Sequence, residues 1–386
     1  MEMNNKRSRE LIKSLVEIDT TSRESNLELI EFVEGYLSNY GVPCEKIFNS
    51  QKTKANLVAR IGPDVAGGVV LSGHTDVVPV DGQNWKTNPF VLTEADGRLY
   101  GRGTADMKSF CAVALAMVPV FLEAGLKKPI FLAFSYDEEV GCLGVSGILN
   151  YFSSRSNLPA AIIVGEPTSM EVAVAHKGIR CMRTVIKGVE AHSANAHQGE
   201  SAIFAAGQLI CFLSDLAGKY ATRGPFDDRF VPPHTTINIG DIRGGSAINI
   251  IPNWAEFNWE HRPIPGHDPD EIPKAFREYT SEVERLMQER FTECKIENYE
   301  WAFVPAFSAE AGSAAEVLAK SLAGRNDVGV ISYTTEAGLF QAIQIPTVIC
   351  GPGSMDQGHK PNEYVSLNQV ELCERFMIKL CHALTT

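Results

Sequence analysis

No two of the chain's nine cysteines stand at the C-x-x-C spacing, and nine is an odd number. A thiolate zinc cluster or a disulfide framework is therefore not expected, and free thiols in a reducing cytosol are. Basic residues are also short, 35 against 47 acidic ones for a net charge of −12. Without a basic footprint, neither a nucleic-acid backbone nor an anionic membrane surface is expected as a partner. The opening residues, MEMNNKRSRELIKSLVEIDT, hold no apolar run ahead of a cleavage site, so no signal peptide is expected. The longest uncharged stretch, Ala337–Met355, is interrupted by Pro346, Pro352, three glycines and two glutamines, which a continuous membrane helix would not carry. These absences together lead us to expect a soluble, cytoplasmic protein.

What remains is an ordinary globular composition, 44% hydrophobic and 21% charged, over 386 residues, a length that suits about two domains. Amphipathic helices are predicted over Arg9–Ile18 and Asn26–Tyr40, with Asn26 as N-cap. Short apolar runs of strand length follow at Ala55–Ile61, Val69–Ser72, Ile130–Ser135 and Ala160–Val164, with a helical segment, Met107–Ala124, among them. That alternation predicts an α/β fold with a mainly parallel sheet. From about Gly178 the pattern changes to strand, helix, two strands, helix and strand, ending near Phe303, which is the order of a small ferredoxin-like α+β sandwich. The earlier style then resumes with Ala311–Ala323, Val328–Ser332, Thr347–Cys350 and Asn368–Leu384. The expected organisation is a larger domain, 1–177 plus 304–386, with a smaller one, 178–303, inserted.

Five separated pieces offer hard metal ligands, mostly just after an apolar strand: Gly73-His74-Thr75-Asp76, Gly103-Thr104-Ala105-Asp106-Met107-Lys108, Asp137-Glu138-Glu139, Gly165-Glu166-Pro167-Thr168 and Gly351 to His359. Ligands at the carboxyl ends of parallel strands converge on one edge of a sheet, where α/β proteins place their sites. Imidazoles and carboxylates without thiolates suit a catalytic divalent centre that keeps positions open. Taken singly, each piece has an ordinary reading: a satisfied core histidine, a solvated acidic turn, an exposed glutamate before proline. The signal is the set of five.

With those motifs in view, the sequence resembles the M20 family of dizinc peptidases and deacylases over nearly its whole length. Thr335-Glu336-Ala337-Gly338-Leu339-Phe340, Cys350-Gly351-Pro352-Gly353 and His359-Lys360-Pro361 are most similar to its acetylornithine deacetylase branch. The resemblance implies a zinc-peptidase-like catalytic domain and an inserted dimerisation and lid domain. It implies two divalent ions, Zn2+ or Co2+, bridged by Asp106, with His74 and Glu166 completing one and Glu139 and His359 the other. It makes Glu138 the general base and gives Asp76 the job of accepting the second imidazole N–H of His74. The adjacent Glu138 and Glu139 can share one site only if the strand before them has ended, which Val140-Gly141 permits.

The resemblance further implies that His192 donates to the oxyanion across a homodimer, that Arg262 reads a substrate carboxylate and that Asn249 assists. From position alone His192 is a surface loop histidine, and Arg262 is as well explained by an ion pair at a strand end. Glu336 either faces a cationic substrate side chain or caps a helix starting near Ala337. The implied reaction is metal-dependent hydrolysis of the amide of a small N-acyl amino acid, N2-acetyl-L-ornithine to L-ornithine and acetate, in arginine biosynthesis. Desuccinylation of a diaminopimelate derivative, aminoacylase activity and dipeptide cleavage are siblings on the same ligands. A non-catalytic binding protein on the same fold is the reading from another class.

Overall fold

Apolar runs punctuated by glycine become strands in the computed structural model, which describes residues 5–385. Ala55–Ile61 and Ile130–Ser135 form over the predicted spans, while Val69–His74 and Ala161–Pro167 extend further, each carrying a candidate ligand on its last turn of chain. The chain divides into two units: Met1–Ala175, Phe307–Ile331 and Thr335–Thr386 form one, His176–Ala306 with Ser332–Thr334 the other. The smaller unit's main segment lies between two segments of the larger one. The smaller unit also takes the short excursion 332–334, which the pattern does not announce.

The larger unit is built on a nine-stranded sheet. Its centre is four parallel strands in the order Ile130–Ser135, Val69–His74, Ala161–Pro167 and Thr347–Gly351. Antiparallel strands flank them, Cys44–Phe48 and Ala55–Ile61 on one side and Ala173–His176 on the other. The central strands are buried at every position, as a sheet covered on both faces requires. Helix Lys108–Ala116 is buried at every residue as well. Gly165 makes its approach possible, because a Cβ there would overlap the Phe110 ring. The predicted single helix Met107–Ala124 breaks at Met117, and a second helix, Val118–Glu123, starts with proline at its head.

Asn26 does not cap its helix as expected. Helix Leu27–Asn39 begins directly after it, but the side chain makes no capping bond. Instead Nδ2 donates to the Ala55 carbonyl at 2.9 Å and Thr75 Oγ1 at 3.0 Å, and Oδ1 accepts the Ala55 N–H at 3.0 Å. The amide stitches the N-terminal segment to the chain just beyond His74, a stronger demand than a cap in a buried setting.

The smaller unit carries a four-stranded antiparallel sheet in the order Thr236–Gly244, Trp254–Arg262, Ile179–Lys187, Lys295–Val304. Numbered along the chain this is 2-3-1-4, the ferredoxin-like arrangement. Helices Ala202–Arg223 and Glu271–Gln288 cover one face through Leu209, Leu213, Phe276 and Val283, against Met182, Ile186, Phe257 and Trp259. Ala202–Arg223 is long and apolar enough by composition to cross a membrane, yet six of its residues are buried inside this unit.

Candidate metal centre

His74 is the last residue of its strand, and Glu166 stands one residue before the end of the neighbouring one. Strand Ile130–Ser135 stops before the acidic triplet, and Asp137 takes a positive φ of 55°. The Glu138 carbonyl then accepts the N–H groups of Gly141 at 2.9 Å and Cys142 at 2.8 Å, closing a tight turn. This turn lets the neighbouring side chains of Glu138 and Glu139 serve one site, which a continuing strand would forbid. Asp106 lies two residues before the buried helix, and His359 in the loop after Thr347–Gly351. All five pieces therefore meet at the carboxyl edge of the parallel strands, within the larger unit.

Asp106 sits between two imidazoles. Its Oδ1 is 3.0 Å from His74 Nε2 and its Oδ2 is 3.1 Å from His359 Nε2. Glu166 Oε1 lies 3.7 Å from the same His74 nitrogen, and Glu139 Oε2 lies 2.9 Å from the same His359 nitrogen. Ligand atoms of His74, Asp106 and Glu139, and of His74, Glu138 and Glu166, fall within 4.8 Å of one another. All but His359 are shielded from solvent; its side chain is 49% exposed and forms the open side of the cluster.

So many acids in one dry place repel each other. Burial, then Asp106, raises Glu139 to about 7, and burial pushes Glu138 and Glu166 well above the ordinary carboxyl range, with their acidic neighbours adding to it. The imidazoles answer in kind. Hydrogen bonds to Asp106 and Glu139 raise His359 to about 11, and Asp106 with the surrounding carboxylates raises His74 despite burial that opposes it. Asp106 itself is lowered, because the His359 and His74 contacts outweigh its burial. The donor set, two imidazoles and carboxylates with no thiolate, fits hard or borderline divalent ions. Glu139 Oε1 is buried without a hydrogen-bond partner, an acceptor left over for such an ion.

Asp76 departs from its expected task. His74 Nδ1 is 2.9 Å from the main-chain oxygen of Asp76, whereas the Asp76 carboxylate stands 3.7 Å away. The carboxylate instead accepts the N–H of Glu138 at 3.1 Å on Oδ1, and on Oδ2 the N–H of Glu139 at 3.2 Å and the Ser22 hydroxyl at 2.8 Å. One residue thereby orients the histidine with its backbone and the acidic turn with its side chain. Ser22 is missed from sequence because nothing in its spacing ties it to residue 76.

Glu336 is buried, 1% exposed, and does not cap the helix Ala337–Ala342. Its Oε2 approaches Ser72 Oγ at 3.5 Å and its Oε1 has no partner. Burial raises its carboxyl to about 7. The remaining three candidates belong to the smaller unit. His192 is exposed on a two-stranded ribbon beside Ile250, and the next residue's N–H donates to the Asn249 carbonyl at 2.9 Å, so the chain brings His192 and Asn249 together. Arg262 ends its strand and is paired with Glu260, Nε to Oε1 at 2.8 Å and Nη2 to Oε2 at 3.3 Å. The ion pair that position alone suggested is present.

A parallel-sheet edge bearing these imidazoles and carboxylates defines a candidate metallohydrolase centre. Residues 70–383 match the model of Peptidase family M20/M25/M40, and the chain belongs to that family. It is 33% identical to an acetylornithine deacetylase of Salmonella heidelberg over 362 residues, 93% of this chain and 91% of that protein. Among solved structures it is similar to an M20 family metallo-carboxypeptidase of Sulfolobus solfataricus, with a TM-score of 0.76 at 17% identity, covering 98% of this chain and 99% of that one. A dinuclear metal-binding M20 peptidase of Bacillus subtilis superposes with a TM-score of 0.66 at 18% identity, 98% of each chain being covered.

Proposed function

We propose that the chain hydrolyses N-acylated amino acids, and that its substrate is N2-acetyl-L-ornithine, cleaved to L-ornithine and acetate for arginine synthesis in the cytoplasm. The observation that carries the reading is the placement of Asp106 between His74 and His359, each imidazole backed by its own glutamate. The deacetylase-named relative, similar over most of its length, supports the choice of substrate.

His74, Asp106 and Glu166 would hold one divalent ion, and Asp106, Glu139 and His359 a second, Zn2+ or Co2+. When bound, such ions polarise the amide carbonyl and acidify water. Glu138 is the general base: its carboxylate accepts the proton of the attacking water and delivers it to the departing nitrogen. Burial gives that carboxylate an unusually high proton affinity, which suits a group that must take a proton and return it. Asp76 keeps the turn carrying Glu138 in place. Glu336, inside the same unit, is proposed to compensate the cationic end of the substrate, and its unpartnered oxygen supports that. Three residues of the smaller unit are assigned roles only. His192 is the oxyanion donor, supplied by the second copy of a homodimer; Arg262 recognises the substrate carboxylate; Asn249 assists. The exposed Phe204 and Ile248 beside a groove of about 660 Å³ on this unit support an apolar contact between copies.

A substrate panel on metal-loaded protein tests the proposal. N-acetylornithine should be turned over with the highest kcat/KM. If N-succinyl-diaminopimelate, N-acetylmethionine or a dipeptide is cleaved much faster, the substrate is wrong. If no amide is cleaved by fully loaded protein, a binding role replaces catalysis.

A further inference from the structure

Glu363 is fully enclosed at 1% exposure, and every hydrogen bond it makes goes to a segment some 260 residues earlier. Oε1 accepts the N–H of Ala105 at 2.8 Å and of Asp106 at 3.0 Å. Oε2 accepts the N–H of Gly103 at 3.1 Å and Arg102 Nη1 at 2.7 Å. Its own carbonyl takes the Gly101 N–H at 3.0 Å. A single carboxylate thus ties down three of the four successive amides leading into Asp106, and it sits four residues beyond His359.

Arg102 extends the clamp. It is 1% exposed, and its Nη2 donates to Gln83 Oε1 at 2.6 Å. Gln83 Nε2 in turn donates to the His359 carbonyl at 2.9 Å. The circuit runs from Asp106 through Glu363, Arg102 and Gln83 to His359, so the two side chains that meet at 3.1 Å share a frame remote from their own contact.

We propose that Glu363, through Arg102 and Gln83, is a positioning residue that sets the separation of Asp106 and His359 and thereby the affinity of the centre for its second ion. The proposal rests on the metal-centre reading above. Geometry makes the carboxylate hard to replace. A glutamine keeps one acceptor oxygen, but whichever way it turns its NH2 faces two N–H donors, those of Ala105 and Asp106 or those of Gly103 and Arg102. Outer partners of metal ligands typically change affinity or activity by about 10–100-fold when altered.

The test measures metal dissociation constants by competition with a chromophoric chelator, using Zn2+ as probe on full-length wild type, Glu363→Gln, Glu363→Asp and Gln83→Ala. Circular dichroism identifies the folded fraction to which the constants refer. The expected result is two equivalents bound by wild type, and the weaker one lost by about 10–100-fold in Glu363→Gln. Glu363→Asp should recover part of that affinity, and kcat should fall with KM nearly unchanged. Gln83→Ala, at the outer end of the circuit, should weaken the same equivalent by a few-fold and keeps the test open if Glu363→Gln does not fold. Folded variants with wild-type zinc constants would overturn the positioning role, as would Gln83→Ala at wild-type affinity when Glu363→Gln cannot be folded. Wild type binding fewer than two equivalents would instead overturn the metal-centre reading itself.

Discussion

Removing the cations should make rising pH destabilising. In the metal-free chain Glu139 titrates at about 7 instead of 4.5, through burial and the adjacent Asp106. Burial takes the carboxyl of Glu336 to about 7 as well. A carboxyl raised in this way keeps a proton in the folded state that the unfolded chain has already released. Its stability is intact below about 4.5 and is lost as pH climbs through 7. The interval from 4.5 to 7 corresponds to about 3 kcal/mol for one such group. The sites share protons, so their contributions are not summed. His359, raised to about 11, acts in the same direction from its ordinary 6.5 upward. Asp106, lowered from 3.8, acts in the opposite direction but only at lower pH. The assay is thermal unfolding of chelator-treated protein at pH 5, 6.5 and 8 at constant ionic strength, with and without added Zn2+. The metal-free midpoint should drop by about 6 °C from pH 5 to 8, taking about 2 °C per kcal/mol for a unit of this size. The rise produced by Zn2+ should grow over the same range, since ligands must shed protons to bind. A metal-free midpoint that is level or climbing, with a pH-independent zinc increment, would refute the reasoning.

Four substitutions extend the account. Glu138→Gln is isosteric but takes up no proton, so kcat should fall by about 10²–10⁴-fold with metal content unchanged, read by steady-state kinetics and elemental analysis. Asp76→Ala strips the acceptor from the Glu138 and Glu139 amides and should lower kcat/KM by about 10–100-fold. Ser22→Ala, which removes only one donor to that carboxylate, should cost less, and a larger loss than for Asp76→Ala would contradict the reading. His192→Ala should cost about 10²–10³-fold in kcat. Mixed with Glu138→Gln it should regain part of the activity in verified heterodimers; none regained would count against action between copies.

Much of this candidate centre is readable in the chain because its candidate ligands sit where apolar runs stop. His74 and Glu166 close strands that are buried throughout, and such strands announce themselves by continuous hydrophobicity. Strand Cys44–Phe48 does not, being only half-buried with two charged residues in five, and it went unpredicted. Asp76 was assigned the right neighbourhood but the wrong acceptor, because the choice between its carbonyl and its carboxylate depends on where the Glu138 turn falls. Glu363 left no trace at all. Its partners are main-chain N–H groups, identical in every residue type except proline, so no side-chain pattern reports them. Asn26 shows the same limit from the other side, since a residue in cap position found a buried carbonyl to serve instead.

The most direct measurement is anomalous diffraction from crystals loaded with Zn2+. The account predicts two peaks at the carboxyl edge of the parallel strands, one against His74 and Glu166, the other against Glu139 and His359, with Asp106 reaching both. Peaks located away from those side chains, or none in protein that hydrolyses its substrate, would contradict it.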